Sequence, residues 1–393
     1  MTHTHMFLDK HMTLVPCTVL KENAYRRTIQ VNGGAQAGKT LDVHPEGVAH
    51  GRIFPRIFKV DKPEQAKVAT ILGRSLLCYQ PNPDERAAVP HVKADYRFQP
   101  FIMDVIDSIH QAQSVILTGG TGVGKTTHIV QLAARIHQPL LRINFNGETR
   151  MSDLIGKVHV VNGETRWIDG VLPMAMRKGW WLLLDELDFA EPAVLSLLHP
   201  VLEDESMLVL KENNGEIIRP HPNFRLFATA NSIGAMGDRA GAYSGTNTMN
   251  EAFLDRWQVL MVDNLPLKDE IKVLRQEAPG LKPAWAKRIA QFAQQVRAGE
   301  IQEYTGDNFS TRKTIAWAKK AALHRSTLKG AKLSWLDKMA KSEQEPMEQA
   351  LKAFFGTGKR SSVRPGARKK ASAAPASTGL VKRRGRPPKS ATV

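Results

Sequence analysis

One short stretch constrains the fold of this chain more than any other: "GGTGVGKT", residues 119–126. It fits the phosphate-loop pattern G-x-x-x-x-G-K-S/T. The pattern alone is a weak filter, because "GGAQAGKT" at residues 33–40 fits it equally well. The physics asks for more. A strand must deliver the chain to the glycines, and a helix must start at the Lys-Thr. Only then do the loop N–H groups and the positive helix end face the same anion. At 33–40 the approach "RTIQV" is β-prone, but the exit "LDVHPEGVAHG" carries Pro45, Gly47 and Gly51 where helix should run. Proline and glycine are the poorest helix formers, so this match reads as a glycine-rich turn between strands. At 119–126 the apolar run "SVILTG" leads in. "KTTHIVQLAARIHQ" leads out, with Ile129, Leu132, Ala133 and Ile136 at helical spacing. One site is expected, with Gly119, Gly120, Thr121, Gly122, Val123, Gly124, Lys125, Thr126 and Thr127 as its cradle.

The flanking sequence places that unit in an α/β chain. From 98 to 265 strands alternate with helical stretches, which implies a parallel sheet covered on both faces, a nucleotide-binding core. Residues 266–355 carry helical periodicity ("KDEIKVLRQEA", "PAWAKRIAQFAQQVRAG", "STRKTIAWAKKAALHR") and read as a helical lid. Residues 1–97 read as a small accessory domain, β-rich or α+β, with one helix expected in "PEQAKVATILGRSLL" (63–77). The stretch "QPNPDERAAVP" (80–90) reads as a linker. Residues 356–393 hold eleven Lys or Arg and no Asp or Glu, so they carry most of the net charge of +17. That composition cannot offset its ordering entropy and predicts a disordered basic tail. No apolar run nears the roughly 18 residues of a membrane span. The start "MTHTHMFLDKHM" lacks a secretion-signal layout, and Cys17 and Cys78 give no disulfide framework. A cytoplasmic setting is expected.

Hydrolysing a nucleotide needs a phosphate cradle, a magnesium ion, an activated water and compensation of the transition-state charge. Lys125 is placed to reach the β- and γ-phosphates of ATP, and Thr126 to put its hydroxyl on magnesium. In "WWLLLDELD" (180–188) a buried strand ends in Asp185 and Glu186. Parallel sheets bind ligands at that end. Asp185 suits the magnesium shell and Glu186 the polarisation of attacking water. "FRLFATAN" ends a second buried strand in Asn231, suited to a hydrogen bond with the water or the γ-phosphate. Arg256, in "NEAFLDRW", is a candidate arginine finger. Arg312, in "STRKT", is a candidate to lean over the nucleotide. Read singly, Asn231 is also compatible with a turn residue and Arg256 with a surface arginine.

Taken in this order, the motifs resemble an AAA+ ATPase. The closer likeness is to the MoxR-type branch, and within it to the ATPase subunit of aerobic cobaltochelatase, the CobS-like proteins. "GTGVGKTTHIVQLAARI", "DLIGK", "LLLDELD", "RPHPNFRLFATAN", "AFLDRW" and "STRKTIAWA" carry it, across about residues 100–330. The resemblance implies Lys125, Thr126, Asp185 and Glu186 as Walker residues, Asn231 as sensor 1 and Arg312 as sensor 2. It implies Arg256 as a finger acting on the neighbouring subunit's ATP, and hence a homo-oligomer, a hexameric ring. It also implies a partner with a von Willebrand A-type metal-binding domain. "KVHVVNGETRWIDG" (157–170) has Asn-Gly between β-prone arms, a hairpin signal. MoxR-like proteins carry a hairpin insert in this region, near the ring's pore.

Two parts depart from that family: residues 1–97, which resemble nothing further, and the basic tail. In the tail "KRRGRPPK" resembles an AT-hook, with Arg384, Gly385, Arg386 and Pro387 at its core. Arginines flanking a glycine suit the narrow, negative minor groove of A·T-rich DNA. The expected function is therefore an ATP-hydrolysing ring that remodels or activates a partner protein, in metal-chelatase-type chemistry by analogy. The alternative is a DNA-associated AAA+ motor or factor tethered through its tail. Intact Lys125, Asp185 and Glu186 argue against a scaffold that binds nucleotide without hydrolysing it.

Overall fold

A computed structural model describes residues 5–8, 14–22, 27–32, 37–43, 46–49, 52–55, 57–59, 67–232, 249–304 and 309–356. Near the N-terminus lie β1 (His5–Leu8), β2 (Leu14–Glu22), β3 (Arg27–Val31), β4 (Thr40–Val43), β5 (Glu46–Ala49), β6 (Arg52–Pro55) and β7 (Ile57–Lys59). Five of them form an antiparallel sheet in the order β4-β3-β2-β1-β7. Cys17, Ile29 and Val31 fill its small core. The glycine-rich match at 33–40 runs from β3 into β4, which pair antiparallel, and no helix follows Thr40. The strand that follows is what the sequence predicts in place of a helix; residues 33–36 of the expected turn lie outside the described residues.

The helix expected over 63–77 is overturned within the described residues. They form a hairpin of β8 (Val68–Ile71) and β9 (Arg74–Leu77). Leu72 and Gly73 both take positive φ, 47° and 83°, the backbone of a two-residue turn that matches strand twist. Packing selects the strands. Ile71 and Leu76 bury against α1 (Ile102–His110), and Arg74 pairs with Asp107 on that helix at 2.8 Å. The expected linker at 80–90 is likewise tied down. Glu85 accepts hydrogen bonds from Tyr79 Oη and from Trp180 Nε1 (3.0 Å), and Ala88 packs on the core.

The main body is a five-stranded parallel sheet in the order β11-β14-β17-β10-β18. Its strands are β10 (Val115–Thr118), β11 (Leu140–Asn144), β14 (Trp181–Asp185), β17 (Arg225–Ala230) and β18 (Gln258–Met261). Between them run α2 (Lys125–Arg135), α3 (Met151–Ile155), α4 (Val171–Lys178), α5 (Pro192–Leu202) and α6 (Glu251–Leu254). Side chains alternate across the sheet as period-2 strands require. Leu182, Leu184, Leu226 and Ala228 face α4 and α5, whereas Trp181, Leu183 and Phe227 face α1 and α2. Covering both faces explains why β14 reads as a continuous apolar run. Each fully buried leucine in it contributes roughly 1.5–3 kcal/mol. Trp180 and Trp181 are packing residues, 6% and 2% exposed.

Two hairpins interrupt the alternation of strand and helix, the second with Leu208, Leu210 and Ile218 buried in the core. β12 (Gly156–Val161) and β13 (Glu164–Asp169) turn at Asn162-Gly163, where the sequence predicts a hairpin. β15 (Leu208–Leu210) and β16 (Glu216–Ile218) form the second, which the sequence did not announce. The C-terminal part is helical: α7 (Leu267–Glu277), α8 (Pro283–Arg297), α9 (Thr311–His324), α10 (Thr327–Ser334) and α11 (Lys341–Gly356). Phe292, Phe309, Trp317 and Trp335 interlock in its core, mostly edge to face. Glu270 on α7 is fully buried, chelated by the Arg297 guanidinium (2.7 and 2.8 Å) and bonded by Thr314 Oγ1. Removing one partner of such a pair costs about 3–5 kcal/mol, so α7, α8 and α9 are held as a unit. No helix among the described residues is long and apolar enough to cross a membrane.

His110 supplies a pH-dependent element of stability. Its Nε2 lies 2.7 Å from the Ser75 carbonyl, joining α1 to β9, and burial pushes its pKa down to about 4. An unfolded histidine titrates near 6.5, so between about pH 6.5 and 4 the unfolded chain binds more protons. Stability from this group is present above that window and lost as pH falls through it. Denaturant unfolding at pH 7 and pH 5 should show wild type losing about 2 kcal/mol more than His110→Gln. Equal losses in both proteins would contradict the assignment.

Candidate functional site

The carboxyl ends of β10, β14 and β17 converge on a cavity of about 290 Å³, lined by Thr121, Gly122, Gly124–Thr127, Arg142, Asp185, Glu186, Thr229, Asn231 and Arg312. The loop from β10 to α2 has no room for side chains at two points. A Cβ on Gly119 (φ +144°) would sit 2.2 Å from the Val262 carbonyl oxygen, on backbone that cannot yield. A Cβ on Gly122 (φ +78°) would sit 2.6 Å from Ser310 Oγ. Ser310 caps α9, and the Arg312 N–H donates to the Gly122 carbonyl at 3.3 Å. The helical part therefore rests directly on the glycine loop, and Arg312 reaches the cavity from above it.

Lys125 is buried under the loop. Its Nζ donates to the carbonyls of Gly119 (2.7 Å) and Gly120 (3.1 Å) and to Asn231 Oδ1 (2.9 Å). Burial pushes its pKa down to about 8, against the pull of Asp188 and Asp185. Thr126 Oγ1 donates to Asp185 Oδ1 at 2.8 Å. That oxygen also accepts from Thr229, and Oδ2 accepts from Arg142. Glu186 occupies the left-handed region at φ 57°, a conformation that costs energy for a residue with a Cβ. Its N–H donates to Thr229 Oγ1 (3.1 Å), and its Oε2 accepts from Asn144 Nδ2 (3.2 Å). Asp188, fully buried, accepts the N–H of Asn231 at 2.9 Å and so fixes where the Asn231 side chain starts. Burial raises the Asp188 pKa above the usual carboxylate range.

A larger neighbouring cavity of about 720 Å³ shares Gly122, Gly124, Thr127 and Arg312 with the first, and extends between residues 93–99 and α7. His128 braces its floor. Its Nδ1–H donates to the Gly124 carbonyl (2.8 Å), and its Nε2 accepts the Gln99 N–H (3.2 Å). Burial pushes its pKa down to about 4, so the ring is neutral and this tautomer is fixed. Together the two cavities offer an anion cradle at a helix N-terminus joined to a part-apolar recess.

The structure thus brings Lys125, Thr126, Asp185, Glu186, Asn231 and Arg312 to one place. Arg256 is not there. Its guanidinium pairs with Glu203 (2.6 Å) and bonds the Ala252 carbonyl, away from both cavities. Arg384, Gly385, Arg386 and Pro387 lie outside the described residues, as does the tail's expected disorder. Sequence reasoning missed Arg142, Asn144, Thr229 and Asp188. A signal existed for Thr229, a polar residue in an apolar strand two places before Asn231. It also missed residues 93–99 as a cavity wall, having assigned most of them to the accessory part.

A parallel sheet with a glycine loop, an acidic pair and a polar strand end around one cavity defines a phosphate-loop nucleotide-binding core of the AAA type. Residues 114–257 match the family model described as "AAA domain (dynein-related subfamily)". The chain is 31% identical over 280 residues to the aerobic cobaltochelatase subunit CobS of a Sinorhizobium species, covering 69% of this chain and 84% of that one. It is 38% identical over 117 residues to protein NorQ of Paracoccus denitrificans, covering 30% of this chain and 43% of NorQ. Against midasin of Dictyostelium discoideum it is 30% identical over 242 residues, 59% of this chain but only 4% of midasin. The chain belongs to the MoxR/CobS-like family of AAA+ ATPases.

Proposed function

We propose that this protein binds and hydrolyses ATP with magnesium in a homo-hexameric ring, and that the resulting lid movement remodels or activates a partner protein. The observation that carries the reading is the convergence of Lys125, Thr126, Asp185, Glu186, Asn231 and Arg312 on one cavity, with Arg312 supplied by the helical part. The residues fit both ligands. N–H groups at the start of α2, with Lys125, suit a polyphosphate. The Thr126 hydroxyl and the Asp185 carboxylate are the hard oxygen donors that magnesium takes. When bound there, the ion would offset charge on the β- and γ-phosphates.

Position suggests the role of each residue. Lys125 would leave its carbonyl partners for phosphate oxygens. Glu186 would hold the attacking water and accept its proton's hydrogen bond. Asn231, fixed through Asp188, would orient that water or the γ-phosphate. Arg312 would exchange solvent for the phosphate chain. Because α9 also touches Gly122, changes at the phosphates would pass to the helical part, the element placed to move a client. A partner with a von Willebrand A-type domain is the client that the motif resemblance implies, and likeness to a cobaltochelatase subunit adds to it only the setting, chelatase-type chemistry.

Ring formation gives a direct test. A finger acting in trans needs neighbours, and closed symmetry makes a ring the economical arrangement. Multi-angle light scattering of Glu186→Gln with ATP should give hexamers. A monomer at every concentration, with and without ATP, would refute the ring.

A further inference from the structure

The metal-facing carboxylate already has a cation. Asp185 is 4% exposed and uses both oxygens, Oδ1 for the Thr126 and Thr229 hydroxyls and Oδ2 for the Arg142 guanidinium. Arg142 is different in kind from those neutral partners. Its side chain is 51% exposed and lines the cavity that holds Lys125 and Arg312. Strand geometry explains how it arrives. β11 lies beside β14 with Asn144 opposite Asp185 and Arg142 opposite Leu183. The two-residue period puts Arg142 and Asn144 on one side of β11. Asn144 donates to Glu186 and Arg142 to Asp185, so this strand delivers one donor to each acid at the end of β14.

We propose that Arg142 is a counterion exchanged for the divalent cation: it neutralises Asp185 in the metal-free site and leaves that carboxylate when the metal is bound. The proposal rests on the nucleotide-site reading. Magnesium demands a near-ideal octahedron of oxygens, taken directly or through its waters. Either way, the cation and the guanidinium compete for the charge of one carboxylate. Arginine cannot surrender its charge by losing a proton, so the exchange has to move the whole group. A half-exposed side chain on a long stem has the freedom to do so. The exchange keeps an unpaired metal-ligand carboxylate from repelling incoming phosphates. It then releases a planar cation inside the phosphate cavity, where bidentate geometry suits a phosphoryl oxygen pair.

The test measures metal affinity rather than turnover. The full chain is loaded with ADP, and Mn2+, a visible stand-in for Mg2+, is titrated while the free ion is followed by electron paramagnetic resonance. Arg142→Ala should bind Mn2+ at least about 5-fold more tightly than wild type, the loss of one competing charge-assisted contact. Arg142→Lys keeps a positive charge without the fork and should fall between them. Arg312→Ala removes a cation from the same cavity that does not touch Asp185. It should tighten Mn2+ clearly less than Arg142→Ala, which separates the specific contact from general field effects. Unchanged or weaker Mn2+ binding in Arg142→Ala overturns the proposal, as does an equal gain in Arg312→Ala. If Arg142→Ala fails to fold, the direction of the Arg142→Lys shift decides. Should wild type fail to bind ADP at all, the nucleotide-site reading falls, an outcome seen before any variant is compared.

Discussion

Lys125→Ala is expected to abolish measurable ATP binding, and Lys39→Ala to leave it unchanged, although both lysines sit in the same eight-residue pattern. The difference lies in the element that each loop enters. Lys125 and Thr126 open α2, whereas Thr40 begins β4, which pairs back on β3. Beside Lys39 the backbone is tied to β3, with the Gly38 N–H donating to the Val31 carbonyl and the Val31 N–H to the Lys39 carbonyl. The Lys39 side chain is exposed. The Gly38 N–H is spent on that strand contact and cannot face a phosphate. Lys125 is the opposite case. It is desolvated, held by three oxygens, and placed under a loop whose residues line the cavity. Losing a buried charge that pairs with a ligand costs about 2–5 kcal/mol, or roughly 30- to 5000-fold in affinity. Equilibrium titration of a fluorescent ATP analogue into both variants decides it. Loss of binding in a folded Lys39→Ala protein would mean that the first loop is also a site.

How far these roles were readable depends on whether local chemistry or assembly creates them. The loop, β14 and α9 were legible because each is self-contained. Glycines, a strand-length apolar run and a Ser-capped helix announce themselves within about ten residues. The hairpin at 68–77 was not, because its apolar residues fit helix and strand alike. Only docking of Ile71 and Leu76 on α1, with the Arg74–Asp107 pair, decides between them. Arg142 was invisible for another reason. A single arginine in "LLRIN" has no pattern, and its meaning comes from the register of β11 on β14, a pairing of residues about forty apart. Asp188 reads as one more acid in the run after β14, but its task of fixing Asn231 requires β14 and β17 to be neighbours. Arg256 shows the limit from the other side. The motif was legible, yet within one chain the residue pairs with Glu203 instead of the cavity. Its proposed action belongs to an interface.

That interface yields the second large effect. Glu186→Gln keeps the size of the side chain and its hydrogen bond to Asn144 while removing the charge that polarises water. ATP should bind normally and turn over about 10²–10⁴-fold more slowly. Arg256→Ala should also bind ATP and lose turnover, by about 10³–10⁵-fold if it compensates transition-state charge as a finger. The two losses have different geographies, and a mixing experiment separates them. Lys125→Ala subunits hold no ATP but carry an intact Arg256, whereas Arg256→Ala subunits hold ATP but lack the arginine. In a mixed ring, each junction that presents a Lys125→Ala arginine to an Arg256→Ala nucleotide is complete. Activity should therefore return in mixtures of two proteins that are each inactive alone, and peak at intermediate ratios. Glu186→Gln mixed with Lys125→Ala should show no such return, because Glu186 acts within its own subunit and neither partner can repair the other's site. Subunit exchange has to be verified by energy transfer between labelled chains. If exchange is complete and the Arg256→Ala mixture stays inactive, Arg256 does not act across the junction, and its contacts to Glu203 and the Ala252 carbonyl within its own chain are what it contributes.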